Sequence, residues 1–257
     1  MDVSRPGVLR VPGEFFAFSL DITRAMVRRP FQWREFVEQA WFIASVTILP
    51  TMLASIPFGA VISLQIASLT QQLGAQSFTG ATSVLAVVRE AAPIASALLI
   101  SGAAGSAICA DLGARKIREE IDAMEVLGVS PLHRLVVPRV YGAIFVAAML
   151  NGIVIGAGLT GGYVFNIVMQ NGTPGAYLAS FTALASMPDL YVSEIKAVLF
   201  GWIAGLVGAY KGLRAGGGPK GVGQGVNESV VITFLLLFAV NFIITAIYFQ
   251  LVPQQGV

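Results

Sequence analysis

Five long apolar segments, near residues 40–67, 83–110, 136–169, 193–213 and 229–252, leave this chain few ways to fold. At about 1.5 Å per residue, each is long enough as a helix to cross a hydrocarbon core of about 30 Å. Charge is kept apart from them: no charged residue occurs from Trp41 to Val88, whereas residues 115–125 are crowded with charge. A composition of 56% hydrophobic and 12% charged residues excludes an ordinary soluble domain. The expected fold class is an all-α membrane protein with five transmembrane helices. Pro50 and Pro57 remove backbone donors from the first segment and should kink or interrupt it.

The connections set the orientation. Arg5, Arg10, Arg24, Arg28, Arg29 and Arg34 precede the first segment, Arg115, Lys116, Arg118, Arg134 and Arg139 lie around the second connection, and Lys211, Arg214 and Lys220 lie between the fourth and fifth segments. The stretches 68–82 and 170–192 carry no Lys or Arg. By the positive-inside rule the N-terminus is cytoplasmic and, after five crossings, the C-terminus is external, in a bacterial-type inner membrane. Residues 1–35 read as a cytoplasmic N-terminus and 36–257 as the five-helix membrane domain. Within the former, Phe15, Phe16, Phe18, Ile22, Met26 and Val27 alternate with arginines over about 13–29, as in an amphipathic helix lying at the interface, with Phe31 and Trp33 as anchors. The first forty residues lack a continuous apolar stretch, so no cleavable signal peptide is expected. Residues 174–186 can form a short external helix.

Glycines recur at intervals of four in the third segment (Gly152, Gly156, Gly158, Gly162) and the fourth (Gly201, Gly205, Gly208, Gly212), the spacing of closely packed membrane helices. No internal or inverted repeat is visible, which weakens the case for a repeat-built secondary transporter. An ion-coupled transporter also needs ionisable residues at the bilayer midplane, and the apolar segments read as nearly uncharged there.

Catalytic chemistry has little to work with. His133 is the single histidine and Cys109 the single cysteine, which rules out an internal disulfide and a cysteine cluster for metal. The glycine-rich run 216–225 fails as a phosphate loop because Lys220 is followed by Gly221 rather than Ser or Thr. It reads as a cytoplasmic connection. The basic residues adjoin apolar spans rather than forming an aromatic-basic surface, so nucleic acid is not an expected partner. Two features stand out. Arg89 and Glu90 sit at the outer edge of the second segment, where ionisable residues either anchor the interface or face a wet cavity. Residues 111–130 read as a short helix with Ile117, Ile121, Met124 and Leu127 on one face and i,i+4 pairs of Arg115 with Glu119, Lys116 with Glu120, and Arg118 with Asp122 on the others. Its acids, Glu125 included, favour a protein partner over an anionic lipid surface.

The runs Arg89-Glu-Ala-Ala-Pro93, Gly102-Ala-Ala-Gly-Ser-Ala107, Ala110-Asp-Leu-Gly113, residues 119–131 and Pro138-Arg139 closely resemble the central signature of the MlaE/YrbE permease family, membrane subunits of ABC transporters that work with MCE-domain lipid-binding proteins. The resemblance covers almost the whole chain. It implies a non-catalytic permease that binds no cofactor itself, with ATP and magnesium on a cytoplasmic ATPase dimer and MCE proteins on the outer side. It implies that Arg115, Arg118, Glu119, Glu120, Asp122, Met124, Glu125 and Leu127 belong to a coupling helix docked on the ATPase. Arg89 and Glu90 would border a lipid pathway between two permeases, and Gln65 of the first segment is grouped with them as a pathway candidate. Asn227-Glu228-Ser229 stands where the family often has a Thr-Thr-Arg-like run, which resembles the actinobacterial YrbE branch. That branch implies a heterodimer of two permeases and uptake of fatty acids, mycolic-type lipids or sterols. An ion-coupled secondary transporter or a stand-alone membrane lipid-handling protein is the alternative.

Overall fold

The computed structural model describes residues 10–75, 78–170, 174–184 and 186–251. Regular structure among them is helical throughout: α1 (Arg10–Met26), α2 (Trp33–Gln72), α3 (Thr79–Ile117), α4 (Glu120–Val126), α5 (Leu132–Met169), α6 (Pro174–Leu184), α7 (Met187–Leu213) and α8 (Gly218–Leu251). Helices α2, α3, α5, α7 and α8 are each long and apolar enough to cross a membrane. The short connections make successive spans antiparallel, so α1 and α4 lie at one end of the bundle and α6 at the other. Arg5 and the last six residues, 252–257, lie outside the described residues.

The core runs between α3, α5 and α7, where Ile100, Ile108, Leu112, Val140, Leu150 and Leu206 are buried. Helices α2 and α8 are peripheral and expose large apolar side chains such as Trp41, Leu53, Leu235 and Phe242. In water such faces would be a liability; in a bilayer the solvent is itself hydrocarbon, and association depends on close packing instead. Glycine provides that closeness. A Cβ on Gly59 of α2 would lie 1.9 Å from the Gly158 carbonyl oxygen of α5, and one on Gly208 of α7 would lie 2.7 Å from the Gly105 oxygen of α3. Gly201 and Gly212 are as tightly placed, as their spacing predicts. Gly152 and Gly156 face open space, and α5 uses Gly158, Gly161 and Gly162 against α2.

Three further local features bear on the sequence reading. Helix α2 runs uninterrupted through Pro50 and Pro57. Its hydroxyls, Thr47, Thr51 and Ser55, bond the carbonyls of Ile43, Thr47 and Thr51 along the face buried against α5. The glycine-rich run is largely helical, since α8 starts at Gly218. Gly221 there abuts the Gly216 backbone, and Gly225 approaches the Lys211 oxygen of α7 and Cys109 Sγ of α3, so small residues let the α7–α8 hairpin close. Helix α1 packs on the chain itself: Ile22 is buried, and Phe15 and Phe18 meet the Tyr210 ring edge-on at 5.2 and 5.4 Å.

Candidate functional site

Toward the α6 end, four charged side chains from α3 and α7 are gathered inside the bundle. Helix α3 contains a π-helical turn, Val87–Ala91, that carries Arg89 and Glu90. Pro93 follows it, and because proline has no N–H, the Arg89 carbonyl loses its α-helical donor. That oxygen accepts Lys196 Nζ of α7 at 3.0 Å. The same ammonium donates to Glu90 Oε1 at 3.0 Å and to Thr245 Oγ1 of α8 at 2.8 Å. Thr245 in turn donates to Glu90 Oε1 at 2.9 Å, and Asn241 Nδ2 of α8 donates to Glu90 Oε2 at 3.1 Å. Lys196 is fully buried, so its charge depends on these partners.

A second pair sits beside it. Arg89 donates through Nε and Nη2 to Asp189 Oδ1 at 3.0 and 2.6 Å, and the Tyr248 hydroxyl donates to the same oxygen at 2.6 Å. Asp189 is placed there by the start of α7, where Ser186 and Asp189 form a reciprocal capping box. Its other oxygen takes the Ser186 N–H and hydroxyl at 2.9 and 2.8 Å. The guanidinium also lies over the rings of Tyr248 and Phe249, at 5.0 and 5.3 Å from their centroids. Buried Asn151 of α5 extends the layer, donating to Ser193 and Glu194 at 3.0 Å. Spans two, three, four and five therefore meet in one polar layer. It can fix the spans relative to each other and offer charge to a headgroup; it contains no assembled nucleophile and base.

Arg89 and Glu90 are thus brought together, but with partners the sequence reading missed. Lys196 and Glu194 lie inside the fourth apolar segment, so that segment is not the uncharged span expected; an ionisable residue at membrane depth was the signal that could have found them. Asp189, Asn241, Thr245 and Tyr248 carried no such signal. Gln65 lies on the exposed face of α2 and makes no hydrogen bond to this cluster.

At the opposite end, residues 115–127 do not form one helix. Helix α3 continues through Arg115 to Ile117, the chain turns at Glu119 in a left-handed conformation (φ 59°), and α4 follows as seven residues. The break replaces the expected i,i+4 pairs with others: Arg115 with Asp111 and Glu120, Lys116 with Asp122, and Arg118 with Glu120. The Arg118 hydrogen bond at 2.7 Å holds the Glu120 carboxyl below its usual range. Glu119 and Glu125 are exposed and form no ion pair among the described residues. The apolar strip divides too. Ile121 is buried and Met124 packs on the core, while Val126 and Leu127 are 88% and 77% exposed. His133 lies near the start of α5, its Nε2 3.3 Å from the Arg28 carbonyl.

The described residues hold no group of three or more metal-ligating side chains. The protein-family model described as Permease MlaE matches residues 36–247. The chain belongs to the MlaE permease family. Three relatives are similarly named. A probable ABC transporter permease protein of Synechocystis is 32% identical over 192 residues, 75% of this chain and 73% of that protein. One from Rickettsia typhi is 30% identical over 238 residues, 93% and 92% of the two chains. The intermembrane phospholipid transport system permease protein MlaE of Haemophilus influenzae is 27% identical over 236 residues, 91% and 90%. As an MlaE-family permease this chain is a non-catalytic transmembrane subunit of an ABC transporter. Both the charged layer and the α3–α4 turn fall almost wholly inside the matched residues.

Proposed function

We propose that this permease is the membrane pathway of an ATP-driven lipid transporter, built from two permeases, two cytoplasmic ATPases and MCE-domain proteins on the outer side. The carrying observation is a charged layer, Arg89, Glu90, Asp189 and Lys196, built at membrane depth in an MlaE-family chain. A lipid is an apolar body with a polar head, and a mostly apolar bundle with one charged layer suits such a substrate. The α1 end faces the cytoplasm in this reading, because the basic connections gather there. Glu119, Glu125, Val126 and Leu127 then present acids and exposed apolar surface to the ATPase, while ATP and magnesium stay on that partner. The Asn227-Glu228-Ser229 run favours an actinobacterial type of assembly in the inner membrane, with two different permeases and uptake of fatty acids, mycolic-type lipids or sterols.

The test is purification of the tagged chain from native membranes, lipid mass spectrometry of what comes with it, and reconstitution in vesicles. ATP-dependent lipid movement, weakened by Arg89→Ala with the complex intact, is the expected result. Lipid movement driven by a proton gradient without ATP would overturn the reading in favour of an ion-coupled transporter.

A further inference from the structure

Arg139, near the start of α5, is 1% exposed. Its Nε and Nη2 donate to Asp111 Oδ2 of α3 at 3.1 and 2.6 Å, its Nη1 donates to the Leu135 carbonyl at 2.6 Å, and it lies 3.5 Å from Glu35 of α2. The other Asp111 oxygen meets Arg115 at 3.2 Å, and Arg115 lies 3.6 Å from Glu120, the first residue of α4. Five charges of alternating sign, Glu120, Arg115, Asp111, Arg139 and Glu35, therefore run from α4 through α3 to α5 and α2. Only the α5 member is sealed from solvent, so the strongest link lies where the spans meet.

Helices α2 and α3 do not close on each other at this level. A cavity of about 430 Å³ lies there, lined by Gln39, Phe42 and Ile43 on one side and Ala107, Ala110 and Asp111 on the other. Displacement of α3 has room to occur, and Arg139 is the group that connects its carboxylate to α2. The guanidinium donors Nε and Nη2 converge on one oxygen, Asp111 Oδ2, a charge-assisted contact that resists separation of α3 from α5.

We propose that Asp111 is a positioning residue that passes movement of α4 to α5 and α2 through Arg139, so that the first three spans shift as a unit when the ATPase moves. The inference rests on the reading of the α3–α4 turn as the ATPase contact. It assigns Asp111 no contact with lipid or nucleotide. Its loss uncouples hydrolysis from transport without removing either partner.

The experiment compares ATP hydrolysis and lipid transfer on one preparation of the complete transporter carrying Asp111→Asn. Expected are an intact complex, continuing hydrolysis, and a fall of about tenfold in lipid moved per ATP, the scale of a lost inter-site coupling. Arg115→Gln is the second variant. It cuts the same chain at a partly exposed point, leaves the Arg139–Asp111 contact in place, and should lower the same ratio. An unchanged ratio in either variant with the complex intact overturns the proposal. So does failed assembly of Asp111→Asn beside a normal ratio in Arg115→Gln, because Asp111 would then serve folding alone. Charge reversal at Glu119 and Glu125 separates the two readings. If it releases the ATPase while Asp111→Asn behaves as wild type, the docking contact stands and the positioning role falls; if it leaves docking and transport untouched, the docking reading itself is wrong.

Discussion

Lys196 Nζ lies 3.0 Å from Glu90 Oε1, and Thr245 hydrogen-bonds to both, so spans two, four and five converge on one pair of opposite charges. Lys196 is fully buried whereas the Glu90 side chain is 36% exposed, so the ammonium has more to lose. Removing one member of a buried pair strands the other. Glu90→Gln should therefore destabilise the purified protein by about 3 kcal/mol, the lower part of the range for such losses. Glu90→Gln with Lys196→Met should recover much of that. Thermal unfolding in detergent measures both, and a double variant no better than the single one would show that the charges are independent.

Two glycine substitutions should act in opposite directions. Gly59→Ala places a Cβ 1.9 Å from the Gly158 oxygen, and the α2–α5 backbones must separate to admit it. A cost of about 1–3 kcal/mol is expected, as for other overpacked sites. A Cβ on Gly152 meets nothing within 4 Å, so Gly152→Ala should be neutral or stabilising by up to about 1 kcal/mol. Equal melting shifts for the two would contradict this packing.

Glu119 and Glu125 are the acids near the α3–α4 turn left without an ion pair among the described residues, whereas Glu120 and Asp122 are paired within the chain. Reversing Glu119 and Glu125 to Lys should spare membrane insertion but abolish ATPase copurification and transport together. The same reversal at Glu120 and Asp122 should also disturb the local fold. Retention of ATPase at the wild-type level by the first double variant would remove these acids from the interface.

The Arg118–Glu120 bond carries a pH dependence of known sign. The folded Glu120 carboxyl titrates below its usual range, first because of the hydrogen bond from Arg118. Its stabilising contribution is present above the unfolded carboxylate pKa and is lost as pH falls through the depressed folded value. Hydrogen exchange over 118–126 should thus be flat near neutrality and accelerate, beyond the intrinsic pH effect, only in acid. Glu120→Gln should remove the acid-dependent component. High salt should weaken the exposed pair as well.

Orientation is open to direct labelling. Gly217→Cys, at the basic end between α7 and α8, should resist an impermeant thiol reagent in intact cells and react once the membrane is opened. Reaction from outside would invert the whole arrangement.

The five spans were legible because hydrophobic length is a one-dimensional property, and the Gly201 to Gly212 series because its period matches one helix face. Contacts whose two halves lie far apart in sequence were not. Gly59 shows no glycine series of its own, yet meets Gly158 across α2 and α5. Asp189 lies outside the apolar segment expected at 193–213, and only the fold sets it against Arg89. The helix expected over 111–130 followed from periodicity, and the pattern could not show that Glu119 turns left-handed and divides it. Lys196 and Glu194 were visible as charges in an apolar run, and Glu90 as another; that Lys196 pairs with Glu90 was not.

The π-helical turn at Val87–Ala91 also bears on how this span can change by heredity. Such a turn accommodates one residue more than the α-helical ladder. Deleting a single residue there would let the ladder close as ordinary α-helix with little rotation of one side relative to the other, whereas a deletion in the α-helical stretch that follows would rotate one side by about 100°. After a loss between Ala92 and Ile100, Arg89 and Glu90 would no longer address Asp189 and Lys196 while Ile100 and Ile108 kept their places in the core. The second span should therefore bear the loss of one codon best at Val87 or Val88, within the π-helical turn, and worst in the α-helical stretch after it.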